Sequence, residues 1–378
     1  MTKPLVSVVM VICDVERFLA ESIESILGQT LTDFEFIIVD FGSTDNSKRI
    51  ASKYSAQDNR IRLHEIPHCP LPAARNAACF LAQAKYVAIA DADDVSLPNR
   101  LLWEVEFMEK HPEVGVLGGG VECISAAGTP LITGRHPQGD CELQSALLTH
   151  SVIWQPTALI RKEAFFRVGG YRTAFTVSHD YDLWLRIAEH YQIANLEQVV
   201  LNYRIHPFQV SLRKAAQQTL CKLAAQVSAS SRRLGKPDPL DPAEPITPGL
   251  LVRLGVSEAR QQSETTADYL RWVRHMIRAG EFGAALQGTL EFLRSPLEPI
   301  TGRQAADLYL ILAKLWWREG RFGKSLLAMA RAVIQSPAAV IGVVKGLPRR
   351  LEPGLMAPLR QRVHELRCRR WASWQKER

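Results

Sequence analysis

Three aspartates fall within four positions at Asp91-Ala92-Asp93-Asp94, directly after the apolar run Tyr86-Val-Ala-Ile-Ala90. Ionised together at the end of a strand they repel one another, and a divalent cation relieves that repulsion. Hard cations such as Mg²⁺ and Mn²⁺ take one or two carboxylates and fill their other positions with phosphate oxygens and water. The cluster therefore suits a phosphate-bearing ligand. A lone Asp-x-Asp also has an ordinary explanation, since aspartates collect in turns and ahead of helices such as the one expected from Pro98. A second acidic group lies at Ser178-His179-Asp180-Tyr181-Asp182, where Tyr181, Trp184, Leu185 and Ala188 follow helical spacing. Ser178 is the expected cap. Both acids then occupy the first turn, where the helix dipole stabilises a carboxylate by about 0.3–1 kcal/mol whatever else it does.

The elements that must position these acids are visible in the apolar pattern. Runs at Val6–Ile12, Phe34–Val39, Ile61–Ile66, Tyr86–Ala90 and Val114–Leu117 read as strands, separated by amphipathic stretches. Phe18, Leu19, Ser22, Ile23, Ile26 and Leu27 mark the first helix, and Asp45 or Ser47 caps the next. Alternation of this kind predicts an α/β domain with a mostly parallel, Rossmann-like sheet. In such sheets ligands bind beyond the carboxyl ends of the strands, which here directs attention to Asp14, Asp40 and Asp91.

The stretch from Gly235 to Gly249 is dense in proline and is expected to be a linker. Beyond it the chain reads as helical, with an internal echo: Arg278-Ala-Gly-Glu-Phe-Gly-Ala-Ala-Leu286 against Arg318-Glu-Gly-Arg-Phe-Gly-Lys-Ser-Leu326. The second unit, with Gly320, Phe322, Ser325, Ala332 and Pro337, resembles a tetratricopeptide repeat. The first, with Gly280, Phe282, Ala285 and Pro296, fits that pattern less closely. Such hairpins either pack on the first domain or present a surface to a protein partner. The expected division is an α/β domain over 1–212, a helix and Pro-rich linker over 213–262, helical hairpins over 263–340 and a basic tail over 341–378.

Of 378 residues 47% are hydrophobic and 22% charged, enough for a substantial core. Seven cysteines have no Cys-x-x-Cys pairing, which argues against a zinc site and against a disulfide framework. The longest apolar stretches fall short of the roughly 20 residues that cross a bilayer, and the first residues lack the form of a signal sequence. The expected location is cytoplasmic, at most peripheral on the inner face of the membrane. From Val340 to Arg378 there are ten Lys/Arg and three Asp/Glu, which accounts for the whole net charge of +7. The rest is formally neutral, so nucleic acid is not an expected partner. The tail, with Trp371 and Trp374 among its arginines, reads equally as an anchor for an anionic membrane surface and as a solvated basic end.

Over roughly its first 210 residues the chain resembles the family 2 glycosyltransferases of the GT-A fold. The resemblance rests on Val6-Ser-Val-Val-Met10, Arg17-Phe-Leu-Ala-Glu-Ser-Ile-Glu-Ser-Ile-Leu-Gly-Gln-Thr30, Asp33-Phe-Glu-Phe-Ile-Ile-Val-Asp40 with Gly42-Ser-Thr-Asp45, Ala73-Ala-Arg-Asn76, and Asp91-Ala-Asp-Asp94-Val-Ser-Leu-Pro-Asn-Arg100, in the family's order. It implies a nucleotide-sugar donor, a UDP-sugar first of all, and a glycan or lipid-linked acceptor. It implies Mg²⁺ or Mn²⁺ bridging the donor diphosphate through Asp93, with Asp91 toward the ribose. Asp40 and Phe41 would lie on the donor side and Arg75 would offset diphosphate charge. Tyr203-Arg-Ile-His206 resembles the family's closing element, which places His206 near diphosphate or metal.

The same resemblance makes Asp180 the general base, with His179 in place of the usual Glu. An acceptor hydroxyl is too weakly acidic to ionise beforehand, so its proton must leave as it attacks the anomeric carbon. Attack opposite the leaving diphosphate inverts that carbon. No Gln-x-x-Arg-Trp string follows Asp180, so non-processive transfer is expected, as in the building of cell-surface polysaccharide.

Two departures bear on the donor. The family's second acid after the second strand is Phe41, which either stacks on a base or fills space, and the Gly-rich approach to Arg75 has become Cys69-Pro-Leu-Pro72. One competing reading is a non-catalytic nucleotide-binding or scaffold protein working through its helices. Another, a nucleotidyltransferase, would need a Gly- and Lys-rich phosphate loop that Val11–Arg17 does not supply.

Overall fold

The computed structural model describes residues 3–135, 137–207, 209, 214–241, 244–294 and 300–336. The chain divides into two compact units, Met1–Gln261 with Arg278–Gly280, and Gln262–Ile277 with Glu281–Arg378. The basic tail expected over 341–378 lies outside the described residues, and so does Pro337.

All five expected strands are present: β1 (Val6–Ile12), β2 (Phe34–Asp40), β3 (Ile61–Glu65), β4 (Tyr86–Ala90) and β6 (Val114–Ser125). They run as apolar stretches because both faces of the sheet are covered. Val8, Met10, Phe36, Ile38 and Ala88 pack into one core and Val9, Ile37, Val39, Val87 and Ile89 into the other. The helices α1 (Glu16–Leu27), α2 (Ser47–Gln57), α3 (Leu71–Leu81) and α4 (Arg100–Lys110) alternate with these strands. In α1 the buried residues are Phe18, Leu19, Ser22, Ile23 and Ile26, the expected stripe apart from Leu27.

Strands β3, β2, β1 and β4 lie side by side in that order, all parallel. Beyond β4 the sheet changes character. The short β8 (Leu159–Arg161) inserts antiparallel between β4 and β6, and the long β9 (Gln192–Ile205) runs parallel to β6 and antiparallel to β5 (Val95–Ser96). β7 (Pro130–Gly134) hangs on β6 as a hairpin. Strand β9 matters most here, because its end carries Tyr203, Arg204 and Ile205 back to the acids after β4. Between β7 and β9 the chain forms α5 (Asp140–Leu147), α6 (Lys162–Arg167) and α7 (His179–Ile187).

The Pro-rich stretch is not a free linker. The helix α8 (Ala215–Arg233) buries Leu220, Cys221, Leu223, Ala224 and Ala225 in the core shared with α7, and Ile246, Leu250, Leu251 and Val256 around α9 (Pro248–Arg253) join it. Proline forbids regular structure but leaves the apolar residues between prolines free to pack. The first unit therefore extends to Gln261 rather than ending near 212.

The two echoes are both helix–glycine–helix turns. Gly280 and Gly320, at φ +82° and +73°, end α10 (Glu258–Arg278) and α12 (Gly302–Arg318) ahead of α11 (Phe282–Arg294) and α13 (Phe322–Gln335). Ser325 sits at a tight helix crossing, its hydroxyl donating to the Ala313 carbonyl at 2.7 Å. Among the described residues no helix is long and apolar enough to cross a membrane.

Gly115 at the start of β6 admits no side chain, since a Cβ there would stand 2.6 Å from that of Tyr191 and 2.9 Å from Ile187. Gly115→Ala should cost about 1–3 kcal/mol in urea unfolding, the range for overpacking. Gly139→Ala, with open space at the same test point, should leave the midpoint unchanged.

Candidate active site

The carboxyl ends of β1, β2 and β4 do converge, but their acids have different work. Asp14, at φ +53°, folds its carboxylate over the next loop, where Oδ1 accepts from Thr44 N (2.7 Å), Thr44 Oγ1 (3.0 Å) and Asp45 N (3.2 Å). Those donors hold its pKa below the usual value. Asp45 Oδ1 accepts from Ser47 N at 2.8 Å and so serves the start of α2, while Ser47 Oγ accepts from Val15 N. Asp14 is thus a loop staple. Asp40 Oδ1 accepts from Gly42 N and Ser43 N at 3.0 and 2.8 Å, and its Oδ2 is buried with no hydrogen-bond partner. Phe41 is nearly buried, and one face lies against the His68 ring at a centroid distance of 6.0 Å.

The three acids after β4 each meet a different partner. Asp91 Oδ1 accepts from Arg75 Nη2, on α3, at 2.7 Å. Burial works against the Arg75 charge, but Asp91, Tyr171 and Asp180 outweigh it and raise its pKa. Asp93 Oδ2 lies 2.9 Å from His206 Nε2. Asp94 turns inward: Oδ1 accepts from the Arg204 backbone N at 2.8 Å, and its own carbonyl accepts from Ser22 Oγ at 2.6 Å. Burial first, then the charges of Asp93 and Asp91, push the Asp94 carboxyl well above the usual carboxylate range. Asp94 anchors the end of β9 to the end of β4.

Spacing and residue type alone do not single out Arg204, although it lies in the Tyr203-Arg-Ile-His206 string. Its guanidinium donates to the Asp93 carbonyl (2.9 Å) and to Glu21 Oε2 (2.7 Å), and it lies over the Phe18 ring, which also packs against His206. Arg100, the last residue of the stretch that begins at Asp91, is fully buried; it donates to the Ile89 carbonyl at 2.9 Å and pairs with Glu104, whose carboxyl burial pushes up to about 7. Both arginines fix the backbone on which the acids stand.

Asp180 lies in the first turn of α7, half-buried, and within the fields of both Arg75 and Asp91. Burial raises its pKa; the Tyr181 backbone and Arg75 pull it down, and Asp91 pushes it up again. The expected cap is absent: Ser178 has φ +51° and its hydroxyl donates instead to the Gln218 carbonyl at 3.3 Å. Asp182 is a structural acid, 1% exposed and paired with Arg172 and Arg186. His179 is buried beside Tyr171, with neither ring nitrogen in a well-formed hydrogen bond, and burial followed by Arg75 holds it neutral.

Asp91, Arg75 and Asp180 therefore make one cluster, and Asp93 with His206 a pair on the neighbouring backbone. Among the described residues no three His, Cys, Asp or Glu side chains gather as a metal cage. One carboxylate and one imidazole nitrogen suit a cation that draws its remaining ligands from phosphate and water, and do not suit a structural metal.

The model of the family described as glycosyl transferase family 2 matches residues 7–169. Asp91, Asp93 and Arg75 fall inside that match, and Asp180 and His206 lie beyond it. An uncharacterized glycosyltransferase of Methanocaldococcus jannaschii is 34% identical over 210 residues, covering 54% of this chain and 72% of that protein. The O-antigen biosynthesis glycosyltransferase WbnJ of Escherichia coli is 31% identical over 207 residues, 53% of this chain and 80% of its own. A solved mannosyltransferase from Pyrobaculum calidifontis, in complex with GDP-Man and Mn²⁺, aligns at a TM-score of 0.49 and 17% identity over 88% of each chain. At that distance it says nothing of what this chain binds.

Asp94→Asn keeps the acceptor for Arg204 N and removes a carboxyl that burial already disfavours as an anion. Its thermal midpoint should match the parent, whereas Asp94→Ala strands a buried N–H and should cost about 1–3 kcal/mol. A midpoint in Asp94→Asn as low as in Asp94→Ala would contradict the anchoring role.

Proposed function

This chain belongs to glycosyltransferase family 2, and from that premise we propose that it moves one sugar from a nucleotide-diphosphate donor to an acceptor hydroxyl, with a divalent cation and with inversion. The supporting observation is the placement of Arg75 within the fields of two carboxylates, Asp91 and Asp180. One faces the donor and the other the acceptor. A UDP-sugar is the first donor to test, and a glycan under construction is the acceptor class, as the O-antigen role of the WbnJ relative suggests.

In this reading the acceptor O–H gives its proton to Asp180 while its oxygen forms the bond to the anomeric carbon. The bond from that carbon to the β-phosphate oxygen breaks at the same time, and its electron pair leaves on the diphosphate. Attack and departure on opposite faces invert the centre. Arg75 offsets charge on the donor side and, through its field, favours the ionised Asp180 that must accept the proton. Asp91 holds Arg75 and turns its remaining acceptor capacity to the ribose. Asp93 and His206 would hold Mg²⁺ or Mn²⁺, which when bound supplies Lewis-acid neutralisation of the diphosphate. Tyr171 and the neutral His179 keep the Asp180 surroundings poor in water, consistent with its raised pKa.

Asp180 must be ionised to act, so kcat/KM should rise with pH through a limb lying above the usual aspartate range. In Arg75→Met that limb should move further up, because a favourable charge is lost. A limb that stays in place in Arg75→Met would contradict the pairing.

Asp180→Asn should lower transfer by about 10²–10⁴-fold, the span for a general base, while leaving nucleoside diphosphate affinity intact. Asp93→Asn should lower Mn²⁺-dependent turnover by about 10²-fold or more with the thermal midpoint preserved. Full activity of the parent in excess chelator would contradict the cation's role, and normal turnover in Asp180→Asn would remove the base.

A further inference from the structure

We propose that Asp182, Arg172 and Asp238 are positioning residues for the transfer step: an ion network, buried at Asp182 and part-buried at Arg172 and Asp238 where the Pro-rich segment and α8 cover it, sets the helix that carries Asp180. The inference rests on Asp180 as the base, and it gives the stretch around Asp238 a role that a linker would not have.

Asp180 and Asp182 stand two residues apart on α7, about 200° around a helix, so they face nearly opposite ways. Asp180 lies in the field of Arg75, while Asp182 turns inward. Arg172 Nε donates to Asp182 Oδ2 at 3.0 Å with a second bond from Nη2 to Oδ1, and Arg186 reaches Oδ2 from Nη2 at 2.8 Å. This grip fixes the rotation of α7 about its own axis. No side-chain cap does so, since Ser178 makes none.

The network continues outward. Arg172 Nη1 donates to Asp238 Oδ2 at 2.9 Å and Nη2 to Ser228 Oγ at 3.1 Å; Ser228 Oγ in turn donates to Asp238. Arg232 pairs with Asp238 and, at 2.7 Å, with Glu189 just past α7. Three arginines (172, 186, 232) thus face three acids (182, 189, 238). Removing one member of such a set leaves a poorly solvated charge without its partner.

It also reaches the other wall of the site. Arg186 Nη2 donates to the Gly170 carbonyl at 2.7 Å, and the next residue, Tyr171, exchanges two hydrogen bonds with Asn76, donating to Oδ1 at 2.9 Å and accepting from Nδ2 at 2.8 Å. Gly170 has φ +69°, and a Cβ there would stand 2.8 Å from Asn76 Oδ1. Asn76 is the neighbour of Arg75 on α3. One continuous set of contacts therefore ties the backbone of Asp180 to the backbone of Arg75, while Asp93 and His206 stand just beyond the ends of β4 and β9, outside it.

That separation gives the test. In Asp238→Asn and Arg172→Lys, kcat for transfer should fall about 10- to 100-fold, as for a small misplacement of a reacting group. The donor KM and the affinity for UDP with Mn²⁺ should stay within about twofold of the parent, and Asp238→Glu should recover most of kcat. Unchanged kcat in both variants would overturn the inference, as would kcat and UDP affinity falling together, the sign of general loosening. Asp180→Asn is assayed alongside: if it transfers normally, the base assignment has failed, whereas its loss of transfer beside unaffected Asp238→Asn and Arg172→Lys variants removes the positioning role alone.

Discussion

Three carboxylates at the end of one buried strand cannot all be ionised, close together and unpartnered. The chain answers that constraint differently at each position. Asp91 takes a buried arginine from α3, Asp93 meets an imidazole from the end of β9, and Asp94 turns into the protein where its charge is disfavoured. These answers recruit α3, α1 and β9 to one place. Two of the acids stay partly open to solvent and one becomes structure. Without the inward turn of Asp94, Arg204 would lose the acceptor for its backbone N–H, and His206 would lose the strand end that carries it to Asp93.

A second carboxylate environment forms on the far side of Arg75. Asp180 is raised by burial and lowered by Arg75, so its proton affinity depends on a residue whose charge is already shared with Asp91. Under the proposed assignment, donor and acceptor chemistry are coupled through that one guanidinium. The helix bearing Asp180 has no side-chain cap and a left-handed residue before it, and it is held by ion pairs on its opposite face instead. A cap would hold only the first turn. The ion pair from Asp182 to Arg172 in the loop before α7, with Arg172 tied on to Asp238 and Arg186 bonded to the Val168 and Gly170 carbonyls, holds the helix in rotation as well.

The parallel half of the sheet was legible because strands buried on both faces must be apolar throughout, and Val6–Ile12, Phe34–Val39 and Tyr86–Ala90 are. Strand β9 was not: Asn195, Glu197, Gln198 and Asn202 interrupt it, and its partner β6 shifts register against it. β8 is only three residues long. The acids after β4 stood out by spacing, but Asp94 could not be sorted from Asp93 without knowing which way the backbone turns. Asp14 follows a strand end, where ligands are expected to bind, yet its carboxylate is taken up by loop N–H groups. The prolines after α8 suggested a linker, whereas Leu240 and Ile246 among them were the signal that the segment packs.

The account stands on the acidic strand end being a cation-dependent site for a nucleoside diphosphate. Titration calorimetry of UDP and GDP into the intact protein, with Mn²⁺ and again with excess chelator, tests this most directly. One of the nucleotides should bind at a single site with Mn²⁺ present and lose most of its affinity with chelator. Failure of both to bind with Mn²⁺, or binding that chelation leaves unchanged, would contradict it.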